Sequence, residues 1–191
     1  MLIMFSYYQR IKKLRGGLTT DYALELITKS KAGDAEAFGE LYAMYSRELY
    51  GFALYMLRSK EDAEDAVQDA AIAAFRNLGS LKKPDSFKPW LFKILSNRCK
   101  TLLTGRKPDI SSAEEGFLES LPDTSPGIYL PAELCQALEI LGEEERRIVL
   151  MAVLGGFKSR EIALVTDCPS ATVRSKLARS LKKMRTYLET E

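Results

Sequence analysis

Helical periodicity is the feature that most constrains the fold of this chain. From Tyr22 onward, apolar residues recur at spacings of three and four, and no stretch sustains the alternation of a half-buried strand. The first long segment places eight apolar residues on one wide face: Phe38, Leu41, Tyr42, Tyr45, Leu49, Phe52, Ala53 and Met56. The periodicity therefore predicts an all-α fold in which each helix buries one face and exposes the other.

A second helical segment, SKEDAEDAVQDAAIAAF, combines a start signal with a stripe of small residues. Ser59 is the predicted N-cap, and Glu61 and Asp62 fall in the first turn, where the helix dipole favours carboxylates. The predicted buried stripe consists of Ala63, Ala66, Val67, Ala70 and Ala74. The opposite side carries Asp62, Asp65, Gln68 and Asp69. Because this face is acidic, we expect it to repel DNA and to dock on a basic protein surface.

The third helical segment, KPWLFKILSNRCKTLL, is basic. Its predicted apolar side consists of Trp90, Leu91, Ile94 and Leu95. Nine basic residues lie between positions 76 and 107, and Asp85 is the one acidic residue there. Charge segregated in this way favours a nucleic-acid partner, although the net charge of the whole chain is only +2.

Residues 106–129 have the composition of a linker, because proline, glycine, serine and acidic residues collect there without sustained periodicity. The chain is therefore predicted to form two small helical domains joined by a flexible linker. The predicted domains are residues 19–105 and 130–191, and residues 1–18 are predicted to form a loosely ordered N-terminal arm.

The C-terminal segment has the pattern of a helix-turn-helix. An apolar series opens it, Gly155 and Gly156 mark a turn, and the connection TDCPS joins a short helix to a strongly basic one. The apolar positions are Leu130, Leu134, Leu138 and Leu141, then Ile162, Ala163 and Val165, and in the basic helix Val173, Leu177, Leu181 and Met184. In such a motif the second helix enters the major groove of DNA.

Residue types that are absent or rare exclude several function classes. The chain contains no histidine, which removes Ser-His-Asp and Cys-His catalysis and every histidine-containing metal site. Cys99, Cys135 and Cys168 are far apart and form no CxxC, so they are interpreted as reduced thiols of a cytoplasmic protein. No phosphate-binding glycine loop appears, and no apolar run approaches the roughly 20 residues of a membrane span. We therefore expect no enzyme activity, cofactor or metal.

The two halves together resemble the bacterial extracytoplasmic-function (ECF) sigma factors of RNA polymerase. Four stretches carry the resemblance, in this order: DAEAFGELYAMYSRELYGFA, DAEDAVQDA, FKPWLFKILSNRCKTLL and LGEEERRIVLMAVLGGFKSREIALVTDCPSATVRSKL. The resemblance implies a sigma region 2-like N-terminal domain that binds core RNA polymerase and melts the minus-10 promoter element. It also implies a region 4-like C-terminal domain that reads the minus-35 element as duplex DNA, a monomeric free chain, and an anti-sigma factor as a further partner.

The resemblance also implies roles for individual residues. The acidic face of Asp62, Asp65, Gln68 and Asp69 corresponds to the contact with the coiled-coil clamp of the largest polymerase subunit. Asn97 corresponds to the residue that lines the pocket for the flipped minus-10 base. Phe87 and Trp90 correspond to the aromatic residues nearest the point where the promoter melts. The remaining predicted minus-10 residues are Lys88, Lys93, Arg98 and Lys100. The predicted minus-35 residues are Thr172, Arg174, Ser175, Lys176, Ala178, Arg179 and Lys182.

Three positions depart from the family pattern. Ala171 replaces the usual glycine at the start of the recognition helix, where Ser170 is the expected N-cap. Lys158, and not a serine, stands three residues before Glu161, so the Ser-x-x-Glu capping box is displaced. Ala71 occupies a position that is commonly bulky and apolar.

Two alternative functions remain open from the sequence. The first is a stand-alone helix-turn-helix regulator that needs no polymerase; the basic third segment with Trp90 and Asn97 argues against it, because a sensor domain has no use for single-stranded DNA. The second is an interaction protein that binds polymerase or an inhibitory partner without opening promoters. Substitution of Asn97 or Trp90 separates this second alternative from a sigma factor.

Overall fold

The computed structural model of the chain describes residues 20–105 and 130–190, so the predicted arm 1–18 and linker 106–129 lie outside the described residues. The described residues contain eight α-helices and no strand, which confirms the all-α prediction. The helices are α1 (Thr20–Lys31), α2 (Ala35–Leu57), α3 (Lys60–Asn77), α4 (Phe87–Gly105), α5 (Ala132–Glu139), α6 (Glu143–Val153), α7 (Ser159–Thr166) and α8 (Ser170–Thr190). Two short 3₁₀ turns, Leu78–Ser80 and Pro84–Ser86, connect α3 to α4.

Helix α2 lies at the centre of the N-terminal helices and packs against α1, α3 and α4. The predicted alanine stripe of α3 is confirmed, since Ala63, Ala66, Ala70 and Ala74 are all buried, while Val67 is half-buried at its edge. The predicted cap is also present: the Ser59 hydroxyl accepts a hydrogen bond from the Asp62 backbone N–H at 3.2 Å. The small side chains of α3 let it lie close to its neighbours, which fixes the direction in which its acidic face points.

The C-terminal helices form the predicted helix-turn-helix. Helix α7 ends at Thr166, and a turn of three residues leads into α8. Asp167 opens this turn in the left-handed region with φ of +53°, a conformation that aspartate and asparagine adopt more readily than most residues. Most of the predicted core positions are buried: Leu130, Leu134, Leu138, Leu141, Ile162, Val165, Val173 and Met184. The other three, Ala163, Leu177 and Leu181, are half-buried and pack against this core.

The start of α8 differs from the prediction. Ser170 is the first residue of the helix, and the carbonyl of Pro169 accepts the hydrogen bond of the Val173 N–H at 3.0 Å. Pro169 therefore occupies the N-cap position, and Ser170 does not cap the helix.

The displaced capping box of α7 keeps one of its two hydrogen bonds. Lys158 is the N-cap, and the Glu161 carboxylate accepts from the Lys158 backbone N–H at 2.7 Å. The side chain of lysine has no acceptor, so only the glutamate part of the box operates.

The glycine pair between α6 and α7 allows a close approach of the backbone. Gly156 has φ of +62°, and a Cβ atom added at Gly155 would lie 2.6 Å from the Met151 carbonyl oxygen and 2.7 Å from the Phe157 ring. Phe157 then packs edge-on against Phe92 of α4, with ring centroids 4.8 Å apart. Helix α4 also packs along α7, and α2 contacts α6, so the two sets of helices share one hydrophobic core.

We predict that Ala66→Leu destabilises the fold by about 1–3 kcal/mol, because extra methylene groups in a packed core force neighbouring side chains and backbone to move. Ala66 has no solvent exposure. The measurement is the midpoint of urea unfolding followed by circular dichroism. Ala43→Leu is the matched control. Ala43 is exposed on α2, so the free energy of unfolding should change by no more than about 0.5 kcal/mol. Equal effects of both substitutions would contradict the tight packing of α3.

Candidate nucleic-acid interface

The outer face of α8 carries most of the predicted minus-35 residues. Arg174, Ser175, Ala178, Arg179 and Lys182 are all exposed, on the side opposite the buried residues of the helix. The Ser175 hydroxyl donates to the Thr172 carbonyl at 3.0 Å, and the Arg179 Nε donates to the Ser175 carbonyl at 3.3 Å. The structure therefore brings these five side chains together on one solvent-facing surface that a DNA groove could receive.

Thr172 and Lys176 lie at the edge of that surface and are half-buried. The Lys176 ammonium is 2.5 Å from the Glu144 carboxylate, at the acidic start of α6. Lys183 makes a similar pair with Glu145 at 2.8 Å, and this hydrogen bond lowers the pKa of the Glu145 carboxyl. An ion pair at the surface contributes only about 0–1 kcal/mol, so a phosphate can compete for the exposed Lys183.

The acidic face of α3 is solvent-facing at Asp65, Gln68 and Asp69, whereas Asp62 is half-buried beside the N-cap. Two large apolar side chains on the same helix are also exposed, Ile72 at 45% and Phe75 at 39%. Sequence reasoning did not single out these two residues. The signal that could have found them is the helical period, which places positions 72 and 75 opposite the alanine stripe.

An ion pair joins the acidic face to the basic helix α4. The Arg98 guanidinium lies 2.7 Å from the Asp69 carboxylate, and both side chains remain about half-exposed. The prediction assigned Asp69 to polymerase and Arg98 to the minus-10 strand. The structure places the two predicted surfaces side by side, with these residues at their boundary.

The exposed part of α4 contains Asn97 and Lys100. Trp90 is half-buried, with its ring centroid 5.9 Å from that of Phe87. Phe87 is itself buried, with 2% exposure, and packs against Tyr45 of α2. Phe87 therefore belongs to the core, and of the two aromatic residues expected near the melting point only Trp90 reaches the surface.

Lys88 and Lys93, also predicted for the minus-10 strand, face the C-terminal helices in this structure. The Lys88 ammonium is 2.6 Å from the Glu48 carboxylate and donates to the Gly155 carbonyl at 2.8 Å. The Lys93 ammonium is 2.6 Å from the Asp167 carboxylate in the helix-turn-helix turn. The structure does not bring these two lysines together with Asn97 and Lys100 on one open surface.

The described residues offer little other chemistry. Residues 20–105 and 130–190 contain no group of histidine, cysteine, aspartate or glutamate side chains that could hold a metal ion. Burial raises the pKa of the Cys99 thiol to about 12 and that of Cys135 to about 11, so neither forms a reactive thiolate near neutral pH. Within the described part of the chain, no helix has the length and apolar character needed to cross a membrane.

Comparison with known protein families gives two matches, one in each half of the chain. Residues 41–108 match Sigma-70 region 2, and residues 132–184 match Sigma-70, region 4. The first match includes α3 and α4, and the second includes the helix-turn-helix. Together the two matches span more than half of the 191 residues.

Individual relatives agree with these matches. The chain is 32% identical to the ECF RNA polymerase sigma-E factor of Escherichia coli, over 81% of this chain and 88% of that protein. It is 30% identical to the ECF RNA polymerase sigma factor SigM of Mycobacterium tuberculosis, over 87% of this chain and 86% of that protein. The fold is similar to the sigma factor RpoE of Bartonella quintana, solved in complex with the anti-sigma factor NepR, with a TM-score of 0.68 and 23% identity over 82% of this chain and 99% of that one. The chain therefore belongs to the extracytoplasmic-function sigma factors of RNA polymerase.

Proposed function

We propose that this sigma factor divides its work between two oppositely charged helix faces. The acidic face of α3 binds core RNA polymerase, and the basic face of α8 reads the minus-35 element as duplex DNA. Helix α4 contacts the melted minus-10 strand. The observation that carries the proposal is the exposure of both faces on one chain: Asp65, Gln68 and Asp69 on α3, and Arg174, Arg179 and Lys182 on α8.

Electrostatics supports this assignment of partners. An exposed carboxylate face repels the phosphate backbone of DNA and attracts a basic protein surface. Ile72 and Phe75, exposed on the same helix, would add apolar area to the contact with polymerase. Neither feature suits a nucleic-acid groove, so α3 is assigned to the protein partner.

The minus-35 proposal follows from the chemistry of α8. Arginine pairs bidentately with guanine in the major groove, and Arg174 and Arg179 are exposed on the face that a groove would meet. Ser175 and Ala178 between them are small, so the backbone of α8 can approach the base edges. Lys176 and Lys182 flank this face and are assigned, with Thr172, to the phosphate backbone.

The minus-10 proposal rests on α4. Reading a melted strand takes positive charge, an aromatic surface for stacking and a pocket for an extruded base. Asn97 is exposed, with Arg98 and Lys100 next to it, and the half-buried Trp90 offers an aromatic edge. We assign Lys88 and Lys93 to the same strand, in a form of the chain in which their present partners have released them.

The partners of the chain are then core RNA polymerase, promoter DNA as duplex and as melted strand, and an anti-sigma factor. The last is proposed because the sigma factor RpoE of Bartonella quintana has been solved with the anti-sigma factor NepR. We place the chain in the cytoplasm, because polymerase and chromosome are there. We also propose that the free chain is a monomer. No observation favours the stand-alone regulator.

Reconstitution with core RNA polymerase tests the whole proposal. The purified chain should bind bacterial core polymerase and direct new, specific starts from a library of genomic fragments, whereas duplex binding without core association would support the stand-alone regulator.

Asp65→Ala should weaken core binding by at least about 1 kcal/mol and leave duplex binding unchanged. Glu36→Ala is the matched control, because it removes an exposed carboxylate of α2 outside the acidic face. Equal losses for both variants would contradict the assigned polymerase contact.

The minus-35 assignment predicts different effects for two residues of α8. Arg174→Ala should weaken binding to the selected minus-35 duplex by about 1–3 kcal/mol and relax its sequence preference. Lys182→Ala should weaken binding to all duplexes similarly and reduce the slope of log affinity against log salt by about 1. The measurement is fluorescence anisotropy at several salt concentrations. A uniform loss in the Arg174 variant would assign Arg174 to the phosphate backbone and not to base reading.

The minus-10 assignment predicts that Asn97→Ala leaves core binding intact and reduces promoter melting about tenfold or more, since a base contact is worth about 1–3 kcal/mol. Permanganate reactivity of thymines in the minus-10 region measures the melting. Thr101→Ala is the control, because Thr101 is exposed one turn further along and bonds only the Asn97 carbonyl. Normal melting in the Asn97 variant would remove Asn97 from the strand-reading site.

A further inference from the structure

A continuous set of contacts, here called the seam, joins helices α1–α4 to helices α5–α8. At its centre the rings of Phe92 and Phe157 meet edge-on, and both residues are buried. At one end the Tyr55 hydroxyl accepts from the Leu130 backbone N–H at 2.8 Å. Because α4 packs along α7, the side of α4 that faces the seam is in contact with the C-terminal helices.

Lys88 is held on both sides of the seam. Its ammonium is 2.6 Å from Glu48 of α2, and it donates to the Gly155 carbonyl of the C-terminal helices at 2.8 Å. It also lies over the Phe157 ring, 5.2 Å from the centroid. Only 20% of its side chain is exposed, and its ammonium group already has two oxygen partners, which a DNA phosphate would have to displace while the seam is closed.

Lys93, one turn further along α4, meets the helix-turn-helix itself. Its ammonium pairs with the Asp167 carboxylate at 2.6 Å, in the turn that separates α7 from α8. An acidic residue beside a lysine neutralises its charge and repels an approaching phosphate. The Lys93 side chain keeps 37% exposure in this pair, so Lys93 is paired at the surface whereas Lys88 is largely covered. The partners of Lys88 and Lys93 in the C-terminal helices lie 67 and 74 positions later in the chain.

We propose that the C-terminal helices act as an intramolecular cap on the basic face of α4 in the free chain. The cap covers Lys88 and pairs Lys93 with a carboxylate, so the seam must open before Lys88 can contact DNA and before Lys93 is released from Asp167. The DNA part of this inference rests on the proposed minus-10 role of α4, whereas the closure itself does not. Asn97 and Lys100 remain exposed in the closed form, so the cap hides one part of the proposed strand-binding set and not all of it.

Acetylation of lysine by an N-hydroxysuccinimide ester, followed by mass spectrometry, measures closure in the full chain. The rate at each lysine in the native chain is divided by its rate in the urea-unfolded chain. Lys88 should react at least about tenfold more slowly by this ratio than Lys82 and Lys83, which are exposed just before α4. Lys93 should react at an intermediate rate, because its side chain is paired but partly exposed. Equal ratios at all four lysines would overturn the cap.

The double variant Tyr55→Phe, Asp167→Asn weakens the seam without changing side-chain shape. Asparagine tolerates the left-handed backbone at position 167, and phenylalanine keeps the ring of Tyr55 in place. Lys88 keeps both of its own partners in this variant, so it is the diagnostic residue. A cap predicts that Lys88 gains reactivity about tenfold and that Lys93 gains reactivity as well. A gain at Lys93 alone shows only a local ion pair and overturns the cap.

A fluorescent single-stranded 20-mer oligodeoxynucleotide then separates closure from the DNA role. If the cap hides a strand-binding surface, the double variant should bind the oligonucleotide about tenfold more tightly than the natural chain, because apparent affinity scales with the open fraction. Adding Lys88→Gln and Lys93→Gln to the double variant should remove that gain. Increased acetylation without tighter binding would confirm the cap and reject Lys88 and Lys93 as DNA contacts. Circular dichroism of each variant checks that helix content is unchanged.

Discussion

The burial of the C-terminal end of α2 on every side is the constraint on which the rest of the structure depends. The five residues Ala53 to Leu57 are all buried, although a helix at a surface buries only one face. Helix α2 packs against α1, α3 and α4 and also contacts α6, and Tyr55 in its buried end bonds the Leu130 backbone. Each fully buried leucine or phenylalanine contributes about 1.5–3 kcal/mol, so the shared end of α2 stabilises both sets of helices at once.

This shared core determines where the charges of the seam must lie. Lys88 is surrounded by the rings of Tyr45, Phe92 and Phe157, and its ammonium needs the Glu48 carboxylate and the Gly155 carbonyl to offset the loss of water. On α6, burial and the nearby Arg58 guanidinium lower the pKa of Arg146 to about 10. Arg146 donates to the Leu138 and Leu141 carbonyls at 3.2 and 3.3 Å, so Lys88 and Arg146 both have hydrogen-bond acceptors where they enter the interior.

The same packing separates the surfaces that are proposed to bind different partners. The alanine stripe holds α3 against the core and turns its carboxylates outward, while Val173 and Met184 hold α8 with its arginines outward. Helix α4 packs against α3 and α7, with Asn97 exposed and Lys88 in the seam. A sigma factor must bind polymerase and two promoter elements, and in this chain the three proposed surfaces lie on three different helices.

Local sequence determined the helices and their buried faces. The alanine stripe of α3, the Ser59 cap and the core positions of α8 follow from a 3.6-residue period and from capping chemistry, which need only residues close in the chain. The seam could not be predicted in this way. Periodicity does not relate residues that are up to 74 positions apart in the chain. It therefore could not predict that Phe87 is buried, that Lys93 pairs with Asp167, or that Lys88 bonds the Gly155 carbonyl. Sequence alone therefore decided which face of each helix is apolar; tertiary packing decided which polar residues remain in solvent, because a side chain is exposed only where no other helix covers it.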